Sequence, residues 1–163
     1  MVSFRKLERA DLPRLLSLKL ESFETTHHVT IANMEDQERW FNSLDHHVHT
    51  PRSLALIGSS EEASDFGLIK VTGIDWVSRS ADLAWDVFKE HRGKGLGKPL
   101  VTAGVRYCFD ILNLRRLTAE VLENNPASTK CALAAGFVQE GVKRAAVFKG
   151  NVYLNSVVYG VLR

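Results

Sequence analysis

Cysteine is scarce in this chain: Cys108 and Cys131 are the only two among 163 residues. Both sit in apolar, helix-like stretches. They read as buried thiols of a reducing compartment, which excludes a disulfide scaffold. An excess of charge of one sign is missing too. Lys and Arg number 21 against 19 Asp and Glu, a formal net charge of +2. That is too small to point to nucleic acid as a partner, though it suits a modest attraction for an anionic ligand. No apolar run approaches the roughly 20 residues that cross a bilayer, so no membrane partner is expected. The opening "MVSFRKLERADL" is charged and has no apolar core, so no signal peptide is visible and a cytoplasmic location is expected. Low-complexity tracts, linkers and internal repeats are absent. With 45% hydrophobic and 25% charged residues, the composition is that of a folded protein. The length suits one domain over residues 1–163.

What is present is a change of period along the chain. "VSFRKL" alternates apolar and basic residues and fits a short strand. From Asp11, a candidate N-cap followed by Pro13, Leu12, Leu15, Leu16, Leu20 and Phe23 recur at helical spacing. "TTHHVTIAN" reads as loop, and Glu35 to Leu44 as a second helix with a Trp40, Phe41, Leu44 stripe. "SLALIG", "DFGLIKVTGID" and "SADLAWDVF" read as strands. In the last, Ala81, Leu83, Trp85 and Val87 face one way and Asp82, Ala84, Asp86 and Phe88 the other. A helix from Pro99 to about Leu112 would place Leu100, Gly104, Tyr107 and Ile111 on one face. "RRLTAEVL" is a strand, "NNPASTKCALAAGF" a short helix stopped by Gly136, and two final strands flank the turn "KGN". The fold class is α/β, with a mostly antiparallel sheet and about four helices.

Between the third of these strands and the helix that follows lies "RGKGLGK": Arg92, Gly93, Lys94, Gly95, Leu96, Gly97 and Lys98. A helix start offers unpaired N–H groups and partial positive charge, which together hold phosphate oxygens. Glycine lets the backbone come close, and Arg92, Lys94 and Lys98 add charge. The ATP/GTP loop is excluded by the spacing before Lys98 and by Pro99 in place of a hydroxyl residue. The dinucleotide fingerprint GxGxxG is not met, because the three glycines give GxGxG. The pattern [QR]xxGx[GA] is met by Arg92, Gly95 and Gly97.

That loop, with "LTAEVLENNPASTKCALAAGF" about thirty residues on and Asn125 eleven residues before Gly136, resembles the GNAT acyl-CoA N-acyltransferase superfamily, and within it the RimJ/RimL-like subgroup. The match runs from about Phe66 to Arg163; before Phe66 only the strand–helix–helix order agrees. The resemblance implies a GNAT fold whose central pair of parallel strands splays apart, here at Phe88 and Leu122. It implies acetyl-CoA as co-substrate, no metal, and transfer of the acetyl group to an amine. The loop residues 92–98 and Asn125 would hold the coenzyme, and the backbone of Val87, Phe88 and Lys89 would pair with its pantetheine arm. Glu120 and Asp82 are candidates for the base, each also readable as a solvated strand carboxylate. Relatives place a Tyr where this chain has Ala132, so Ser128 is the candidate partner of the leaving thiolate, ahead of Tyr107 and Tyr153. Asn125 reads equally as a helix cap. His27, His28, His46, His47 and His49 form no metal-ligand motif and read as loop residues near the acceptor cleft. The acceptor is left open among a protein N-terminal amine, a polyamine and an amino sugar or antibiotic, and the assembly between monomer and homodimer. A catalytically idle acyl-CoA sensor is the alternative, supported only by Ala132, and a structural glycine turn without coenzyme is the third reading.

Overall fold

Strand alternation builds a sheet with two buried faces. The computed structural model describes residues 1–27, 32–44 and 50–163. Strands β1 (Ser3–Lys6), β2 (Leu54–Ser59), β3 (Gly67–Asp75), β4 (Ser80–Val87), β5 (Arg116–Leu122), β6 (Val138–Lys149) and β7 (Val152–Leu162) form one sheet in the order β1-β2-β3-β4-β5-β7-β6. On β2 and β3, Leu56, Ile69 and Val71 point to one side, while Ala55, Ile57 and Leu68 point to the other. The first set packs under helices α3 (Gly97–Arg106) and α4 (Pro126–Ala134) with Leu100, Val101, Val105 and Ala132. The second packs under α1 (Leu12–Glu21) and α2 (Met34–Asn42) with Leu12, Leu15, Leu18 and Leu44. Among the described residues, no helix is long and apolar enough to cross a membrane.

All neighbouring strands are antiparallel except β4 and β5. That parallel pair shares only Ser80–Asp82 with Arg116–Thr118. Beyond it β4 stays paired to β3 as far as Val87, and β5 to β7 as far as Leu122. Each strand is held by its outer neighbour, so the sheet opens between them. A bulge in β3 between Thr72 and Asp75 lies across from the last residues β4 shares with β5.

Two expectations need correction. Asp11 precedes α1, but its carboxylate does not cap that helix. It takes the Arg5 guanidinium at 2.8 and 2.9 Å and the Glu8 N–H at 2.8 Å. Arg5 also reaches Asp65 at 2.8 Å, tying β1 to the β2–β3 turn. The second concerns the helix after the glycine loop. Leu100 is fully buried, whereas Ile111 is 68% exposed. A π-helical turn over Tyr107–Ile111 continues α3. Its wider winding rotates the face, so Cys108 and Phe109 take the buried positions instead.

Candidate active site

The segment from Lys89 to Gly97 turns out of β4 through a 3-10 turn (Lys89–His91) and enters α3. Gly93 and Gly95 have φ of +74° and +76°, and no heavy atom lies within 4 Å of where a Cβ would stand. The demand at these two positions is conformational, since side-chain-bearing residues avoid left-handed backbone. Gly97 answers to a different need. Its φ is ordinary, but a Cβ would come 2.8 Å from Cys131 Sγ, so it lets α3 approach α4. The N–H groups of Gly97 and Lys98 open the helix with no intrahelical acceptor and at its positive end.

The loop's cations are placed unevenly. Arg92 donates from Nε to the Val87 carbonyl at 3.0 Å, and its own N–H goes to Lys89 O at 3.2 Å. It therefore staples the loop to the end of β4. Lys94 is exposed, and Lys98 lines an outer groove beside Arg106 and Glu61. A cavity of about 410 Å³ sits against the loop, walled by Trp85, Val87, Arg92, Gly95, Asn125 and Ser128. A second, of about 160 Å³, fills the split and touches His27, Leu83, Ala84, Glu120 and Leu122. Thr25, Thr26, Trp85, Asp86, Asn125 and Ser128 line both, which makes one route from the glycine loop into the sheet. The Thr26 hydroxyl on that route is buried with no hydrogen-bond partner.

Of the three residues expected to offer backbone to the split, Phe88 has its backbone committed elsewhere. The N–H of Phe88 goes to Phe66 O at 3.0 Å, and its carbonyl accepts from His91 at 2.9 Å. Alternation along an antiparallel strand then turns the Val87 N–H the other way, into the split. Phe88 instead buries its ring, 2% exposed, among the α1 and α2 residues, with the Arg14 guanidinium 3.7 Å above it. Lys89 starts the 3-10 turn and sets its ammonium 3.6 Å from Glu21. Trp85 also walls both cavities.

Asn125 caps α4: its Oδ1 accepts from Ser128 N–H at 3.1 Å. Its Nδ2 donates to Thr25 O at 3.0 Å, and the neighbouring Asn124 donates to Glu24 O at 3.1 Å. The pair clamps the turn after α1 over the split. Ser128, on the first turn of α4, faces both cavities. Ala132, one turn on, is fully buried in the core.

On the α1 and α2 side, Asp86 and Glu120 bring carboxylates to the split, and Asp82 lies at its closed end, where β4 still pairs with β5. Burial, helped by the charge of Glu120, pushes the Asp82 carboxyl above its usual range. Burial also favours protonation of Glu120, but bonds from Lys143 and Ser156 outweigh it and hold that carboxyl low. Asp86 pairs with Lys70 at 3.4 Å. His27 and Ser156, 129 residues apart, meet at 3.0 Å beside Glu120. Among the described residues no three His, Cys, Asp or Glu side chains gather as a metal site. His28, His46, His47 and His49 lie outside the described residues.

This geometry has relatives. Spermidine N(1)-acetyltransferase of Vibrio cholerae serotype O1 is 26% identical over 144 residues, covering 86% of this chain and 80% of that protein. A crystal structure of spermidine N-acetyltransferase from Vibrio cholerae in complex with CoA and spermine superposes with a TM-score of 0.88. It is 24% identical and covers 99% of this chain and 95% of that one. A dodecameric structure of the same enzyme, in an intermediate state, gives 0.81 at 24% identity over 99% and 93%. Residues 2–138 match the family described as Acetyltransferase (GNAT) domain, a span that takes in both split strands, the glycine loop and α4. The chain belongs to that family of acetyltransferases.

Proposed function

We propose that this acetyl-CoA-dependent N-acetyltransferase acts on a primary amine of a polyamine, by direct attack within a ternary complex. The observation that carries the reading is the two-sided split. The glycine loop approaches from the α3 and α4 side, and Asp86 and Glu120 line the cavity in the split, with Asp82 at its closed end. Carboxylates there suit a chain of ammonium groups, and the spermidine acetyltransferase relatives support the same acceptor. In the bound complex the residues 92–98, the Val87 N–H and Asn125 would hold the coenzyme, whose thioester supplies the acetyl group. A free N–H at the strand end also suits the oxyanion of acyl transfer.

A covalent detour through cysteine is disfavoured. Cys108 is fully buried and its thiol is pushed up to about 12 by that burial. Cys131, beside the loop cavity, is also pushed above its ordinary value by burial. Neither supplies a thiolate at neutral pH. As parts of the same proposal we place the chain in the RimJ/RimL-like subgroup, in the cytoplasm, as one domain that works as a monomer or homodimer. The dodecameric relative makes sedimentation the measurement for that last point.

A second reading rests on a cavity of about 290 Å³ that joins the split at Lys70 and Asp86. It holds Lys19, whose ammonium lies 5.4 Å from the Trp40 ring centre. Burial first, and the charge of Lys70 second, lower the Lys19 pKa. Two lysines beside one aromatic face fit an acceptor that carries an anion, such as a phosphate-linked amino sugar. Release of free CoA with spermidine, an N-terminal peptide amine and an amino-sugar phosphate separates the readings. Turnover of spermidine is expected. Turnover of the amino-sugar phosphate alone transfers the assignment to the second reading. Coenzyme binding with no turnover on any amine would favour an idle sensor.

A further inference from the structure

The split contains a polar chain that the glycine loop does not need. Ser156 on β7 donates from Oγ to Glu120 Oε2 at 3.1 Å, and the same Oγ lies 3.0 Å from His27 Nε2. Glu120 also accepts from Lys143 on β6. An ionised carboxylate only accepts, so the single Ser156 proton is committed to Glu120. The Ser156 oxygen must then accept from His27, which places the imidazole proton on Nε2. The lone pair is left on Nδ1, on a ring that lines the cavity between β4 and β5.

Resting on the N-acetyltransferase reading, we propose that His27 is the general base of the transfer, with Ser156 and Glu120 as the residues that position its ring. Nδ1 takes a proton from the acceptor ammonium. The freed nitrogen lone pair attacks the thioester carbonyl carbon, the C–N bond forms and the C–S bond breaks. The proton remaining on nitrogen passes to the departing sulfur, and the proton on His27 leaves to water. Acetamide and thiol result, with one proton released. Glu120, behind Ser156, stabilises the imidazolium formed on the way.

The charges around the ring fit this role. Burial lowers the His27 pKa; Glu120 on β5 raises it, and Lys149 and Lys143 on β6 lower it. Asp82 on β4 adds negative charge beside Glu120, and Asp86 and Lys70 line the same cavity as a pair. The ring is therefore neutral at pH 7 and able to accept. Glu120, held low by Lys143 and Ser156, is a poor acceptor by comparison.

Two measurements test it. Ring ¹⁵N shifts of the ligand-free protein should show His27 as the Nε2–H tautomer at pH 7, titrating below the ordinary value of about 6.5, with the tautomer preference relaxed in Ser156→Ala. This readout needs no acceptor. In turnover with spermidine, His27→Gln and His27→Ala should lower kcat by roughly 10²–10⁴-fold and leave acetyl-CoA affinity within about twofold. The deficit should shrink as pH nears the amine pKa of about 10. An Nδ1–H tautomer, or wild-type kcat and pH profile in His27→Gln, overturns the proposal. If the wild-type protein leaves spermidine untouched, the acceptor assignment fails, and the tautomer measurement alone decides on His27.

Discussion

Gly95→Ala and Gly97→Ala, two positions apart, should fail for opposite reasons. Gly95 has open space around its missing Cβ but a φ of +76°. An alanine held there costs about 1–2 kcal/mol. The loop is exposed and can relax in the free protein, so the cost falls on the coenzyme-bound form. Each 1.4 kcal/mol is about tenfold in Kd, so acetyl-CoA should bind about 5- to 30-fold more weakly, with Tm little changed. Gly97 has an ordinary φ, but its Cβ would stand 2.8 Å from Cys131 Sγ. Overpacking of this kind costs about 1–3 kcal/mol. At about 2–4 °C per kcal/mol for a domain of this size, Tm should fall by several degrees. Cys131→Ala in the same chain removes the obstructing sulfur and should recover most of that loss. Calorimetric titration with CoA and thermal unfolding of the wild type, the three single variants and the Gly97→Ala, Cys131→Ala double variant read both axes. Equal effects of the two alanines on affinity, or strict additivity of Gly97→Ala with Cys131→Ala in Tm, would refute the division of labour.

Two further outcomes follow from the contacts. The Arg5 guanidinium, through its side-chain bonds, holds Asp11 and Asp65 below the usual carboxylate range. Depressed folded values mean that this stability is complete above the unfolded pKa of about 3.9 and is lost as pH falls through the folded values. Arg5→Ala should therefore lower Tm at pH 7 and flatten its decline in acid, as scanning calorimetry against pH will show. Asn125→Ala removes a helix cap, at about 1 kcal/mol, together with the hold on Thr25. Asn124→Ala removes only the hold on Glu24. Both should speed amide exchange after α1, and only the first should lower Tm by more than about 2 °C.

Local periodicity made the elements legible, and long-range geometry was invisible to it. The alternation of Ala81, Leu83, Trp85 and Val87 places β4 because one face is buried and side chains repeat every second residue. Asn125-Pro126 and Gly136, whose φ is +89°, bracket α4 for equally local reasons. The glycine loop was found, but its glycines could not be told apart: spacing does not distinguish a left-handed φ at Gly95 from a close helix crossing at Gly97. The face through Ile111 failed because it assumed 3.6 residues per turn across a π turn that no residue announces. Arg92 looked like a loop cation and is a staple, since only the fold shows that the Val87 carbonyl is within its reach. His27 and Ser156 carried no mutual signal, because the strand order that brings β7 beside β5 joins residues 129 apart.

The same distinction bears on how the thiolate leaves. The family resemblance implies a Tyr at the position of Ala132, and here that residue is fully buried on the core-facing side of α4, where a larger side chain would have to displace core atoms. The one hydroxyl on α4 that faces both the loop cavity and the split is Ser128. It sits a helical turn earlier, with its own N–H fixed by the Asn125 side chain. A thiolate is a good leaving group, so a hydrogen bond from Ser128 needs only to orient the sulfur; most of the acceleration then comes from positioning. Ser128→Ala should accordingly lower kcat by no more than about tenfold, far less than the loss expected of a general base. A loss of a thousandfold in Ser128→Ala, with coenzyme affinity intact, would move the decisive proton transfer from the amine to the sulfur.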